Sequence, residues 1–376
     1  MDREKTKLLI DRYIGRLLRE STPLRPIWNQ ELVLAGGGYS WSYVNALFLT
    51  ALLKLYRRQG DEKYLAFADR FMDEYVREDG SIRTFSKEEY NIDSVCGGTV
   101  LLDLYELTGK NKYRLAAEEL ADQLLSHPRT GEGSFWHKKI YPNQVWLDGL
   151  YMAQPFYMRY GAEHGNGFCA DSYRQFMTAA EKMKDPYTGL YYHGYDQSRQ
   201  TFWCDRENGL SRSFWLRSIG WLCMACVDTL EVMPVQMQEE KKYLMEIFRD
   251  LAAALLPYQD KRSHMWHQVV DQGGREGNYL ETSGSSMIAY SFLKGASLCY
   301  LEAGYRELGE QIFDGICSEM LCEKNGELLL GGICLVAGLG GQGQRRDGSY
   351  AYYISEPVAE NDGKGVGPFL LAYGEL

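Results

Sequence analysis

LKLYRRQGDEKY (Leu53–Tyr64) and LDLYELTGKNKY (Leu102–Tyr113) carry the same pattern, LxLYxxxGxxKY, at an offset of 49 residues. An internal repeat of this kind marks an architecture built from copies of one supersecondary unit. In each copy the apolar residues keep helical spacing up to a glycine, placed where a left-handed C-cap would end a helix. A second amphipathic run follows, YLAFADRFMDEY in the first copy and YRLAAEELADQLL in the second. Each unit therefore predicts a helical hairpin. Looser echoes pair FYMRYGAEHG with YRQFMTAAEKM, WLCMACVDTLEV with YLMEIFRDLAAALL, and YSFLKGASLCYLEAGY with LGEQIFDGICSEML; with the N-terminal helix they make six units. Six hairpins closed on themselves give an all-α fold, an (α/α)6 barrel, expected here as a single domain over residues 1–376. An open superhelix of TPR or HEAT type is the competitor, but these repeats drift in length and lack the regularity of a solenoid. The region from Gly331 alternates glycine with β-formers, as in GGICLVAGLGG and GSYAYYISEP, and reads as a loop or small strand pair covering one end.

Composition narrows the function classes. The chain has 45% hydrophobic and 24% charged residues, an ordinary globular balance that can bury a large core. Its formal charge of −10 and the lack of a basic stripe argue against binding nucleic acid. No apolar run reaches the roughly 18 residues that span a bilayer, so no membrane insertion is expected. The opening MDREKTKLLIDRYIGRLL mixes charges with helically spaced apolar residues rather than forming a signal peptide, which leads us to expect a cytoplasmic protein. Nine scattered cysteines without two paired metal-type spacings read as reduced buried thiols. The 28 tyrosines and 8 tryptophans supply flat faces on which sugar rings stack, although aromatic cores account for them equally well.

Several motifs were weighed for chemistry. GLGGQG (Gly338–Gly343) has the spacing of a dinucleotide fingerprint but leads into RRDGSYAYYI with no helix expected after it, so nucleotide binding is rejected. HMWH (His264, His267) and CMAC (Cys223, Cys226) each lack a second well-spaced pair, so no metal site is expected. No GxSxG elbow is present, which leaves carboxylates. SFWHKKIYPNQVWLDGLYM (Ser134–Met152) places Asp148 between Trp146 and the apolar Leu150, Tyr151 and Met152. An apolar wall raises an acid's pKa until it can donate a proton near neutral pH; the bland alternative is a helix cap or a satisfied core carboxylate. Asp93 lies where a loop enters the second repeat and either caps that helix or points into the barrel mouth. His137 and His193 fall in the loops of two different units beside aromatics, a setting as natural for packing as for catalysis. Arg217 in SFWLRSIGW is flanked by Trp215 and Trp221, either as a clamp for a sugar carboxylate or as a cation–π contact in the core.

Taken together, FWHKKIYPNQVWLDGLYM, MWHQVVDQGGREGNYLETSGSSM (Met265–Met287) and RDGSYAYYISEPVAENDGKGVGPF resemble glycoside hydrolase family 105, the unsaturated rhamnogalacturonyl hydrolases, over about residues 10–376. The resemblance implies a hydrolase with an (α/α)6 barrel as its one catalytic domain. Its substrate would be a small acidic oligosaccharide from pectin degradation, an unsaturated uronyl disaccharide ending in a 4,5-unsaturated galacturonic acid linked to rhamnose. The double bond would be hydrated, with Asp148 as general acid and then base, Asp93 as a second pocket carboxylate, and His193 stabilising charge or orienting water. His137, Lys138 and Arg217 would hold the uronate and its neighbour, and Trp41, Trp146 and Trp221 would provide stacking faces. No metal or cofactor is implied, and a monomer or weak homodimer is expected. One departure stands out, because the family commonly shows WGRGNGW where this chain has WLRSIGW. Unsaturated glucuronyl-rhamnose, as in ulvan or gums, glycosaminoglycan disaccharides, and a non-catalytic glycan-binding barrel are the alternatives.

Overall fold

A computed structural model describes residues 3–165 and 167–376. Its helices are α1 (Arg3–Glu20), α2 (Gln30–Leu34), α3 (Tyr43–Gln59), α4 (Glu62–Asp73), α5 (Gly97–Thr108), α6 (Asn111–Ser126), α7 (Asp148–His164), α8 (Phe168–Met183), α9 (Leu216–Val232), α10 (Gln238–Leu255), α11 (Thr282–Ser297), α12 (Gly304–Glu319), α13 (Tyr350–Ser355) and α14 (Gly363–Tyr373). The repeat glycines end helices as their spacing predicts. Gly60 and Gly109 take left-handed conformations with φ of 69° and 70°, closing α3 and α5, and their amides donate to Tyr56 and Tyr105 carbonyls one turn back. Nothing lies within 4 Å of where a Cβ would sit on either glycine, so alanine there suffers backbone strain alone. Gly109→Ala is expected to destabilise the fold by about 1 kcal/mol in urea unfolding, and an unchanged midpoint would contradict this reading of the cap.

Six helices form a closed inner ring in the order α3, α5, α7, α9, α11, α14, and α14 packs back against α3. The helices α4, α6, α8, α10 and α12 follow their inner partners outside the ring. The sixth outer place belongs to α1: Tyr373 at the end of α14 donates to Asp11 Oδ1 at 3.2 Å, and Tyr13 donates to Asn361 Oδ1 at 2.7 Å. The first and last helices of the chain therefore make the sixth hairpin of an (α/α)6 barrel.

This closure corrects the expectation for the region beyond Gly331. A small strand pair does form, β5 (Ile333–Cys334) with β6 (Val358–Ala359), but α13 and an inner-ring helix follow it. Glycine and Pro368 obscured α14 because they read as breakers. Packing overrides that propensity: a Cβ on Gly363, Gly365 or Gly367 would come within 2.7 Å of Val44, 2.6 Å of Ile333 or 2.6 Å of Leu47. Only bare backbone lets α14 sit this close to α3. The remaining strands are β1 (Gln144–Trp146) with β2 (Gly194–Asp196), and the hairpin β3 (Leu321–Lys324) with β4 (Glu327–Leu330), all antiparallel.

The two ends of the ring differ. The N-terminal ends of the inner helices and the segments leading into them carry Trp41, Asp93, Asp148 and Arg217. At the opposite end a 410 Å³ cavity is lined by Lys54, Arg57, Asp103, Arg159, Asp228 and Lys294, among others. Their charges link neighbouring helices: Asp103 accepts from Arg57 at 3.0 Å and from Arg159 at 2.6 Å, while Lys294 binds Asp228 at 2.7 Å and Glu231 at 2.6 Å. No helix among the described residues is long and apolar enough to cross a membrane.

Candidate active site

The pair β1–β2 brings the central residues together. Its register ends with Trp146 opposite Gly194, and beyond it the Leu147 amide donates to the His193 carbonyl at 3.0 Å. The next residue, Asp148, opens α7, so a carboxylate and an imidazole 45 positions apart in the chain meet, with Oδ2 and Nε2 at 3.1 Å. The distance suits a hydrogen bond, but the angle does not, and both atoms remain without a satisfied partner. Unsatisfied polar atoms are uncommon in a folded interior, and two that face each other at 3.1 Å call for an explanation. Asp148 is not a cap, since the residue before α7 makes no side-chain cap bond and Asp148 is already its first helical residue.

On its other nitrogen, His193 is held by Tyr353, whose hydroxyl lies 2.7 Å from Nδ1. Tyr353 is fully buried, its pKa is pushed well up by burial first, and its hydroxyl has no other hydrogen-bond partner among the described residues. The hydroxyl proton therefore goes to Nδ1, which places the ring hydrogen on Nε2, facing Asp148. The ring is further wedged by Trp215, at 4.6 Å between centroids, and by Trp146, at 5.5 Å.

Beside this pair stands Asp93. It is not the cap of its short helical segment; the Asn91 side chain performs that role by accepting from the Asp93 amide at 3.1 Å. The Ile92 amide donates to the His137 carbonyl at 3.1 Å, and so aligns Asp93 with His137 Nε2 at 3.5 Å and Lys138 Nζ at 2.8 Å. Burial pushes the Asp93 carboxyl up, but Lys138 and then His137 outweigh it and hold the pKa below the usual carboxylate range. Lys138 is raised: burial opposes its charge, Asp93 outweighs burial, and Arg346 also acts against it. The site thus holds one fixed ion pair next to a carboxylate–imidazole pair.

The structure gathers Asp93, His137, Lys138, Trp146, Asp148 and His193 into one place, and Trp41 joins them at the rim. Trp41 Nε1 donates to the Ser94 carbonyl at 2.8 Å, and the residue is half-buried. Three expectations change. Trp146 is 6% exposed and stacks on His137 at 4.2 Å and on Tyr141 at 5.2 Å, so it braces the site rather than offering a free face. Trp221 is 1% exposed, stacked on Tyr151 at 4.9 Å, and belongs to the core. Arg217 is 2% exposed; its guanidinium lies 4.9 Å from the Trp215 ring, not over Trp221, and donates to Ser283 Oγ and the Cys334 carbonyl. Helical spacing puts Arg217 and Trp221 on one face but does not say that the face is packed, and the role of Trp146 is implied by the resemblance alone. Tyr353 and Trp215 join the site without a signal in the sequence, where RDGSYAYYI looks like covering loop. Among the described residues no group of three or more His, Cys, Asp or Glu is arranged to hold a metal.

Two buried imidazoles give the fold a pH dependence. Burial first of all lowers His137 and His127 to about 4 from 6.5. Between these values the unfolded chain takes up protons that the folded chain refuses, so their contribution is complete above pH 6.5 and is lost as pH falls toward 4. His127, which hydrogen-bonds the Trp136 carbonyl at 2.8 Å, lies away from Asp148 and isolates the effect. Between pH 7 and about pH 5, wild type is expected to lose up to about 2 kcal/mol more stability than His127→Gln. Equal losses in urea titrations at the two pH values would contradict this.

A closed ring of helical hairpins with an acid and a hydrogen-bonded imidazole at one mouth defines an enzyme of the helical-barrel glycosidase class. The particular family follows from likeness: residues 28–376 match Glycosyl Hydrolase Family 88. A solved structure described as a glycoside hydrolase from family 105 of C. acetobutylicum ATCC 824 is 44% identical, with a TM-score of 0.90 over 98% of both chains. The chain belongs to the glycoside hydrolase 88/105 family, whose members are unsaturated uronyl hydrolases acting on small oligosaccharides. Protein Atu3128 of Agrobacterium fabrum is 39% identical over 231 residues, 60% of this chain and 97% of that one. The unsaturated rhamnogalacturonyl hydrolase YesR of Bacillus subtilis is 28% identical over 304 residues, 79% of this chain and 78% of its own length.

Proposed function

We propose that this protein removes the non-reducing-end 4,5-unsaturated galacturonic acid from rhamnose in small acidic pectin-derived oligosaccharides, by hydrating the enol-ether double bond. The observation that carries the reading is the Asp148–His193 pair, in contact yet unsatisfied, at the barrel mouth of a chain in this family. The likeness to YesR supports galacturonyl-rhamnose as the substrate.

Asp148 acts as a neutral acid and delivers its proton to carbon 4. Positive charge is then shared by carbon 5 and the ring oxygen. The carboxylate left behind takes a proton from water as the water oxygen bonds to carbon 5, which restores the acid. The hemiketal so formed opens and releases rhamnose. Because no displacement occurs at the anomeric carbon, the two-carboxylate spacing rule of ordinary glycosidases does not govern this site. His193, donating from Nε2, orients water and stabilises the Asp148 carboxylate as it forms. Asp93, kept ionised by Lys138, accepts from sugar hydroxyls. Trp41, half-buried at the rim, offers part of its ring for stacking. The match across residues 28–376 supports a chain that works as one catalytic domain.

The test is loss of the enol-ether ultraviolet absorbance from unsaturated galacturonyl-rhamnose and glucuronyl-rhamnose disaccharides. Consumption of the first, and faster than the second, is expected. Faster consumption of the second would replace the substrate, and persistence of both chromophores would overturn the function.

A further inference from the structure

With Arg217 buried and committed, the mouth still has to neutralise the carboxylate of a uronic acid. The C-terminal segment between β5 and α13 carries three charged residues in a row, Arg345, Arg346 and Asp347. Their surroundings differ. Arg345 Nη2 binds Glu356 at 3.0 Å, and Asp347 Oδ2 lies 3.5 Å from Arg212 Nη1. The guanidinium of Arg346 has no hydrogen bond or ion pair to a described residue, although its backbone is pinned, its carbonyl accepting from the Gly340 amide at 2.9 Å.

The place to which this side chain is directed is the site itself. A methyl group on Gly338 would meet Arg346 Nη1 at 3.2 Å and the Trp146 ring at 3.3 Å, so the guanidinium and the edge of the indole that braces His137 and His193 flank the same glycine. It is also near enough to Lys138 to act against that residue's charge. Lys138 is already spent on Asp93 at 2.8 Å, and Arg217 on Ser283 and Cys334. A half-buried guanidinium whose donors are uncommitted among the described residues, near a second cation, suits a planar anion, because its forked N–H groups match both oxygens of a carboxylate.

We propose that Arg346 is the residue that binds the substrate's uronate carboxylate and so selects uronic acids over neutral sugars. This rests on the hydration reading for the identity of the substrate. Specificity then resides in the same C-terminal segment that, through Tyr353, orients His193.

The experiment uses Asp148→Asn protein, which holds the substrate without consuming it, titrated with unsaturated galacturonyl-rhamnose and with the same disaccharide carrying a carboxamide. The acid is expected to bind roughly tenfold or more tighter than the amide. Adding Arg346→Gln is expected to bring the two within about threefold, Arg346→Lys to restore part of the preference, and Arg345→Gln to leave it intact. An unchanged preference in the Arg346→Gln protein, or no preference in its parent, would overturn the proposal. Failure of the hydration reading is separately visible, as wild type that binds the acid and leaves its double bond untouched.

Discussion

Replacing Asp148 by asparagine is expected to lower turnover of the unsaturated disaccharide at least about 10³-fold while leaving its Kd within about threefold. The amide has the size of the carboxylic acid and can still face His193 Nε2 through its oxygen, so the pocket keeps its shape. What it lacks is the proton that carbon 4 needs. A vinyl carbon in an enol ether is a weak base, and without a positioned acid the step falls back on water. His193 is not placed to substitute, because its Nδ1 is held by the Tyr353 hydroxyl at 2.7 Å. A parallel loss of binding would make Asp148 a binding residue instead, and retained turnover would remove it from the chemistry. The comparison needs both single-turnover absorbance and equilibrium binding, since a change in KM alone does not separate the two.

The second large effect lies at the far end of the barrel. Lys294 is 5% exposed, and its ammonium group bridges Asp228 at 2.7 Å, Glu231 at 2.6 Å and the Tyr290 hydroxyl at 3.1 Å, joining α9 to α11. Burial opposes its charge, but Asp228 and Glu231 outweigh burial and hold its pKa well above the ordinary lysine value. Removing one partner from a buried ionic group costs more than the group contributes when intact, because the other charges lose their counter-ion while still desolvated. Lys294→Met is therefore expected to destabilise the protein by about 3 kcal/mol, toward the lower end of the range for buried pairs because Glu231 is half exposed. Combining it with Asp228→Asn should recover part of the loss, as one stranded charge is gone. A loss below about 1 kcal/mol in urea unfolding would indicate that the network is solvated like a surface ion pair.

The hairpins were legible because two features agreed, the helical spacing of apolar residues and a glycine placed to take positive φ. Gly60 and Gly109 do this at equivalent points of the repeat. α14 was not legible, since its glycines signal breaks locally and make sense only against Val44, Ile333 and Leu47, side chains elsewhere in the chain. The site divided in the same way. Asp148 stands out from residue type and surroundings, whereas Asp93 and His193 are left open between packing and function until the family resemblance singles them out. Their pairing depends on three-residue strands too short to carry a periodic signal, and on the Ile92–His137 backbone bond. Trp146, Trp221 and Arg217 were read as substrate contacts from their chemistry, yet packing uses their faces and donors first. The reverse holds for Arg346, the middle of three charges whose first pairs with Glu356 and whose third lies beside Arg212.

The central claim is that the double bond, not the glycosidic bond, is the point of attack. Turnover of unsaturated galacturonyl-rhamnose in D2O, followed by proton NMR from the earliest time points, tests it most directly. Hydration predicts that the olefinic C4 proton signal disappears at the rate at which rhamnose appears, with one deuterium added stereospecifically at carbon 4. Release of rhamnose while the freed uronate keeps its olefinic proton would contradict the account.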